Sequence, residues 1–393
     1  MFTASPDDRF RWHPEARLFG PDGAEQDRVR PGRESVIPDR PAARALAEAL
    51  ALAETGRAFR IGGGHDAPET ANPPHFETLT SGSTGTPRRI RRSQQSWTAS
   101  FRVNRDLFGL APHMRLAVLG RLVQSLSLYG ALEGMHGGAE VHVLDGLRPD
   151  RQAAALRRLG VQLLYATPAQ LRPMLDAPPV PSMRAVLIGG SKLDRVTRAG
   201  LTRLFPDAAL REFYGAAEAS FITLADAETP EGSVGRPYPG VEIALRGSGE
   251  IWVRSPYLFA GYGAAVTGGA LWRDGWLSVG EIGHWAGPHL CLSGRAGRML
   301  TVADQNVFPE EIEAFLLSLP GVLQAAVIAR PDRARGHVIE AAIAGPADPG
   351  VVLAAARAEL GPLKAPRRVH LLPDWPLLAS GKTDLAALER ALL

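Results

Sequence analysis

Apolar positions change period from one region of this chain to the next. Up to about residue 74 the chain is rich in Pro, Asp and Arg, and only residues 41–55, dense in Ala, Leu and Glu, have the composition of a helix. From Phe76 onward short apolar runs recur: LAVLG at 116–120, AEVHVL at 139–144, QLLYAT at 162–167 and RAVLIGG at 184–190. Helix-like stretches over 151–159 and 168–175 lie between them. Buried strands alternating with helices predict an α/β domain with a largely parallel sheet. Over 249–285 the pattern turns to glycine-punctuated segments, EIWVRS and GWLSVGEIGHWAG, which predict a smaller β-rich subdomain. After Gly294-Arg295 the run MLTVADQNVFPEEIEAFLLSLPGVLQAAVIARP reads as strand, proline-started helix and strand. The fold class expected is α/β: a large N-terminal domain of α/β sheets with a β-rich subdomain over 1–295, then a small mobile α+β C-terminal domain over 296–393. The hinge is placed at Arg295-Ala296-Gly297, because glycine absorbs backbone rotation at no steric cost.

Composition narrows the classes of function. A length of 393 residues exceeds one ordinary core. Hydrophobic residues at 45% and charged residues at 22% are those of a globular protein, and no apolar run is long enough to span a bilayer. The start, MFTASPDDRFRWHPEARLFG, does not read as a secretory signal, so a cytoplasmic location is expected. The single cysteine, Cys291, cannot form an internal disulfide or a cysteine metal cluster, and HLCLSG around it reads as a buried strand. A formal charge of +3 requires no nucleic-acid partner. The one basic run, Pro87-Arg88-Arg89-Ile90-Arg91-Arg92, either touches phosphate or is a solvated face.

The strongest local signal is Thr80-Ser81-Gly82-Ser83-Thr84-Gly85-Thr86-Pro87, directly after the strand expected over 76–79. Glycines let the backbone N–H groups approach an anion, and Ser and Thr hydroxyls add donors, so the loop suits phosphate. It is not a G-x-x-x-x-G-K-[ST] loop, since no lysine follows at that spacing. Lysine itself is scarce: only Lys192, Lys364 and Lys382 occur among 44 Lys and Arg residues. A compact ammonium kept at Lys382, after Ser380-Gly381, in an arginine-rich chain points to a specific need for it.

Taken in order, these residues resemble the acyl-adenylate-forming superfamily of acyl-CoA ligases, luciferases and nonribosomal peptide adenylation domains, whose phosphate loop reads T-S-G-S-T-G-x-P-K. Glu212-Phe213-Tyr214-Gly215-Ala216-Ala217-Glu218 is similar to its Y-G-x-T-E segment. There the resemblance implies a tyrosine on adenine and a glutamate, Glu218, holding Mg²⁺. Gly189-Gly190-Ser191 is similar to the small-residue strand end beside the adenine and acyl pocket. Gly235-Arg236-Pro237 and Gly249-Glu250-Ile251-Trp252-Val253 match the next stretch. Asp274-Gly275-Trp276-Leu277-Ser278-Val279-Gly280-Glu281 is similar to D-G-W-x-x-T-G-D, whose last acid holds the ribose. Gly294-Arg295, Val307-Phe308-Pro309-Glu310-Glu311-Ile312-Glu313 and Ser380-Gly381-Lys382 complete the series to the C-terminus.

The resemblance implies catalytic roles for Lys382, Glu218 and Thr84. It implies nucleotide binding by Thr80, Ser81, Gly82, Ser83, Thr84, Gly85, Arg88, Gly190, Ser191, Tyr214, Gly215, Ala216, Glu281, Arg295 and Lys382. The cofactors it implies are ATP, Mg²⁺ and CoA, and the substrate a carboxylic acid, hydrophobic and either fatty or aromatic. Cationic screening of two anions that must meet is the chemistry such an enzyme has to supply, and Lys382 is the residue expected to supply it. The sequence departs from the pattern at Arg88 for the loop lysine, Ala217 for a phosphate-contacting hydroxyl, Glu281 for aspartate, and Gly297, Thr301 and Asp304 around the hinge. Gln124 stands near the place of a histidine or aromatic residue over the acyl pocket, which residues 124–129 and 221–223 would line if they face inward. The chain before the phosphate loop is shorter than in relatives, leaving one pocket wall trimmed or supplied by the second subunit of a homodimer. Three readings follow: an acid–CoA ligase, an adenylation enzyme loading a carrier protein, and a nucleotide-binding protein without turnover.

Overall fold

A computed structural model describes residues 8–64, 66–69, 73–80, 88–263, 269–303, 305–332, 336–378 and 383–392. The four apolar runs form the strands Arg115–Val118, Glu140–Val143, Leu163–Ala166 and Ala185–Ile188. All lie parallel in one sheet of eight, in the order Arg17–Phe19, Glu140–Val143, Arg115–Val118, Leu163–Ala166, Ala185–Ile188, Ala209–Ala216, Ser220–Leu224, Arg236–Pro237. Parallel strands need crossover connections, and the helices that make them cover both faces. Leu116 and Val118 enter the core shared with the helix Ser125–Gly137, while Ala117 between them packs with Leu156 and Leu201 of the helices Pro149–Arg158 and Arg195–Leu204. That alternation is why these strands read as continuous apolar runs.

A second sheet runs Gly261–Tyr262, Arg89–Ser93, His75–Leu79, Phe59–Ile61, Val36–Ile37. Its core is aromatic: Phe76 lies 4.6 Å from Trp97 and 5.6 Å from Phe59, ring centre to ring centre. The helix expected over 41–55 is present as Ala42–Glu54. Here the basic run proves not to be a solvated face. On the strand Arg89–Ser93, Ile90 and Arg92 point inward and are fully buried, whereas Arg89 and Arg91 flank the buried Glu77 from the other side. Glu77 itself pairs with the buried Arg60 at 2.6 Å. Strand period 2 decides which arginines go in.

The β-rich subdomain is an antiparallel sheet of Glu242–Arg246, Glu250–Arg254, Trp276–Ala286 and Leu271–Arg273, with His289–Arg295 also paired to Trp276–Ala286. Cys291 lies on that last strand and is half-buried. After a 3₁₀ turn at Ala296–Arg298, a hairpin of Leu300–Val302 and Gln305–Val307 leads into the helix Pro309–Leu317. The strands Gln324–Asp332, Gly336–Ala344 and Arg368–Leu371 and the helix Pro349–Lys364 complete an α+β unit with its own core around Val302, Ile312, Leu316 and Ile343.

Candidate active site

The strand Ala209–Ala216 runs parallel to Ala185–Ile188 and then turns back as Ser220–Leu224. The register slips between Tyr214 and Gly215, and Ser220 takes φ 61°. A Cβ at Gly215 would overlap the Ser220 carbonyl, so only glycine fits this close approach. The turn at 216–219 presents Glu218, whose carboxylate accepts a hydrogen bond from the Tyr262 hydroxyl at 3.0 Å. Its backbone carbonyl accepts from Phe259 N–H at 2.8 Å. Beneath the turn, the Arg92 guanidinium donates to the carbonyl of Ala217 at 2.7 Å and to that of Tyr257. Burial lowers the Arg92 pKa, against the pull of the Glu218 charge. Arg92 is thus a fully buried cation beneath Ala217.

At the other end of the site the Tyr214 hydroxyl donates to Glu281. Glu281 and Arg295 are cross-strand partners in the hairpin Trp276–Ala286/His289–Arg295, and the guanidinium lies 3.5 Å from the carboxylate. Burial raises the Glu281 pKa, while Tyr214 and Arg295 oppose the rise. Burial, and then the neighbouring carboxylate, holds the Tyr214 hydroxyl well above its ordinary value. Gly190, at φ 93°, and the exposed Ser191 follow the strand next to Tyr214.

The phosphate-loop residues Ser81, Gly82, Ser83, Thr84 and Gly85 lie outside the described residues, as does Lys382. The stems that hold them are described. Thr80 N–H donates to the Arg88 carbonyl at 2.9 Å, and Arg88 N–H donates to the Thr80 hydroxyl at 3.3 Å, closing the base of the loop between two antiparallel strands. The strand leaving it pairs with Gly261–Tyr262, with Tyr262 opposite Ile90. Tyr262 thus ties Glu218 to the strand that leaves the loop base. On the far side of Lys382, Leu377 and Thr383 form a bridge, and the Trp375 indole donates to the Thr383 hydroxyl at 3.0 Å.

The structure therefore joins Tyr214, Gly215, Ala216, Glu218, Glu281, Arg295, Thr80 and Arg88 around one mouth, with Gly190 and Ser191 beside it. Tyr262 and Arg92 were not anticipated. Among the described residues no three His, Cys, Asp or Glu side chains converge on a metal position. Mg²⁺ that arrives on ATP phosphates needs only one or two protein carboxylates, so the lone Glu218 fits such an ion.

Residues 22–263 match the AMP-binding enzyme family, and residues 311–382 match the AMP-binding enzyme C-terminal domain. The chain belongs to the AMP-binding enzyme family. It thereby falls in the acyl-adenylate-forming superfamily. This AMP-binding enzyme is 31% identical over 334 residues to an uncharacterized acyl-CoA ligase, YhfT of Bacillus subtilis, covering 81% of this chain and 69% of that one. It is 28% identical over 338 residues to the indoleacetate–CoA ligase of Aromatoleum aromaticum, 77% of this chain and 64% of the relative. The amide bond synthetase McbA of Marinactinospora thermotolerans has the same fold, with TM-score 0.75 and 23% identity over 93% of this chain and 91% of that one. Among the described residues no helix is long and apolar enough to cross a membrane.

Proposed function

We propose that this AMP-binding enzyme is an acid–thiol ligase, working as an ATP-dependent carboxylate activator with CoA as the acyl acceptor. In the first step a carboxylate oxygen attacks the α-phosphorus of ATP, and the phosphorus–oxygen bond to pyrophosphate breaks, giving an acyl-adenylate. In the second the CoA thiolate attacks the acyl carbon, the carbon–oxygen bond to AMP breaks, and the thiol proton leaves to solvent. The observation that carries this reading is the convergence of Glu281 beside Tyr214 and Arg295 with Glu218 beside Tyr262, across from the Thr80–Arg88 loop base.

In this reading Glu281 accepts from the ribose hydroxyls, with Tyr214 and Arg295 opposing the upward pull of burial on its pKa, and Tyr214 with Gly215 and Ala216 forms the adenine wall beside Gly190 and Ser191. Thr80, Ser81, Gly82, Ser83, Thr84 and Gly85 wrap the triphosphate, and Arg88 replaces the loop lysine. Glu218 would hold Mg²⁺, which would supply charge neutralisation for the leaving pyrophosphate. Arg92 fixes the Ala217 carbonyl and adds a positive charge in low dielectric beneath the phosphates, where it is weakly screened. Lys382 screens the two reacting anions. Two of the three relatives described above, the uncharacterized acyl-CoA ligase YhfT and the indoleacetate–CoA ligase, are CoA ligases by name, which supports CoA as acceptor.

The test is acid-dependent pyrophosphate release from Mg-ATP across short, fatty and aromatic acids, with and without CoA. Release together with a CoA thioester supports the ligase. Release with no thioester at any CoA concentration points to a carrier-protein acceptor, and silence with every acid, with ATP still bound, to a protein without turnover.

A further inference from the structure

Tyr214 faces Glu281, and the residue before it on the strand, Phe213, faces the opposite way, as strand alternation requires. Its ring lies directly against Gly189: a Cβ there would overlap three carbons of the Phe213 ring. Phe213 leans on Phe221, centroid to centroid 4.5 Å, and Phe221 on Tyr238 at 4.8 Å and Tyr129 at 5.3 Å. Tyr129 in turn lies 5.9 Å from Tyr165, whose ring presses on the helix Ser125–Gly137 so closely that a Cβ at Gly130 would sit 2.6 Å from it. The layer between that helix and the sheet is filled with rings from the mouth inward.

The rings are also fixed. Tyr165 donates to Glu133, and the Asn104 amide donates to the same carboxyl at 2.8 Å and to the Tyr129 hydroxyl at 3.0 Å. Ser100 and Tyr129 share a hydrogen bond at 2.7 Å, and Tyr238 donates to Asn104 at 2.6 Å. All six residues are buried. Swinging a ring aside breaks a buried hydrogen bond and leaves its partner unsatisfied, and forcing extra carbons into a filled core strains it.

Given the adenylation reading, the acyl carbon must lie at the α-phosphate beside Gly190 and Tyr214, and its hydrocarbon part must leave water for the apolar wall behind them. We infer that this wall makes a short acyl site: the enzyme activates short-chain aliphatic acids and excludes long-chain and aryl acids, with Phe213 as the specificity-determining residue. Tyr129, Tyr165 and Tyr238, pinned by Glu133, Asn104 and Ser100, are the floor that keeps Phe213 and Phe221 in place. The hydrophobic acid expected from the sequence narrows to the short end of the fatty acids.

The test is calorimetric binding of acyl-sulfamoyladenosines, stable mimics of acyl-adenylates, to the full chain, because it does not depend on turnover. The acetyl and butyryl compounds are expected to bind at least about tenfold tighter than the octanoyl and benzoyl compounds, and Phe213→Ala and the milder Phe213→Leu to shrink or reverse that ratio. Wild-type protein binding octanoyl as tightly as butyryl, or an unchanged ratio in both variants, would overturn the short site while leaving adenylation intact. Failure of every compound to bind, the parent sulfamoyladenosine included, would remove the adenylation reading and the short site together.

Discussion

Two tyrosine–glutamate pairs in the large domain use the same chemistry in different surroundings. Tyr214–Glu281 sits at the mouth, with Arg295, 54% exposed, beside the carboxylate. Tyr165–Glu133 is sealed between helix and sheet, with Asn104 and Tyr129 as its further partners. Burial raises the carboxyl pKa in both. At the mouth Arg295 counters it with a full charge, whereas in the interior only neutral donors oppose it and the Glu133 pKa rises to about 7. A carboxylate meant to meet a ligand keeps a cation and an opening. One meant to hold a core is saturated with neutral donors.

Substitutions should separate chemistry from structure along this line. The largest effect is expected from Lys382→Ala, which should lower the rate of adenylation by about 10²–10³-fold while thioester formation from supplied acyl-adenylate and the urea midpoint stay near wild type. Stopped-flow assays of the two half-reactions read it directly. Glu133→Ala should act in the opposite sense, costing about 3 kcal/mol in urea unfolding by leaving Tyr165 and Asn104 unsatisfied around a cavity, with ATP affinity of the folded protein unchanged. Glu281→Ala should weaken ATP binding by about tenfold, in calorimetry, and cost about 1 kcal/mol of stability through the Tyr214 hydroxyl left without its partner.

A pH effect runs through the same Glu133. The Glu133 carboxyl moves from 4.5 to about 7 on folding, so between those values the native protein holds a proton that the unfolded chain has lost. Stability from this group therefore falls as pH rises through that window and levels off above it. Glu133→Gln, which cannot ionise, should gain on wild type between about pH 5 and about pH 8 in parallel urea titrations. A constant gap between the two proteins would show that Glu133 does not titrate in that range.

Most of the architecture could be read from the sequence because its strands are buried on both faces and so appear as unbroken apolar runs. The stretch around Tyr214 and Glu218 stood out through its resemblance to the Y-G-x-T-E segment, and the structure adds why residue 215 is glycine: the Ser220 carbonyl approaches too closely for a Cβ. What stayed hidden depended on partners distant in sequence. Arg92 belongs to a basic run whose inward and outward members only strand register can sort, and Tyr262 meets Glu218 across 44 positions. Glu133 was a lone acid in an apolar helix, which gave no hint of three tyrosines and an asparagine closing around it. The hairpin of Leu300–Val302 and Gln305–Val307 was not read from the sequence, and Ala303 takes φ 48° there, a left-handed position without the usual glycine or asparagine.

The central claim is that a carboxylate oxygen becomes bonded to the α-phosphorus of ATP. Oxygen-18 carried in both oxygens of the fastest-reacting acid, followed by mass spectrometry of the nucleotide product after turnover with CoA, tests it directly. An acyl-adenylate route places one labelled oxygen in AMP and none in pyrophosphate. Unlabelled AMP, or label in inorganic phosphate with ADP as the nucleotide product, would contradict it.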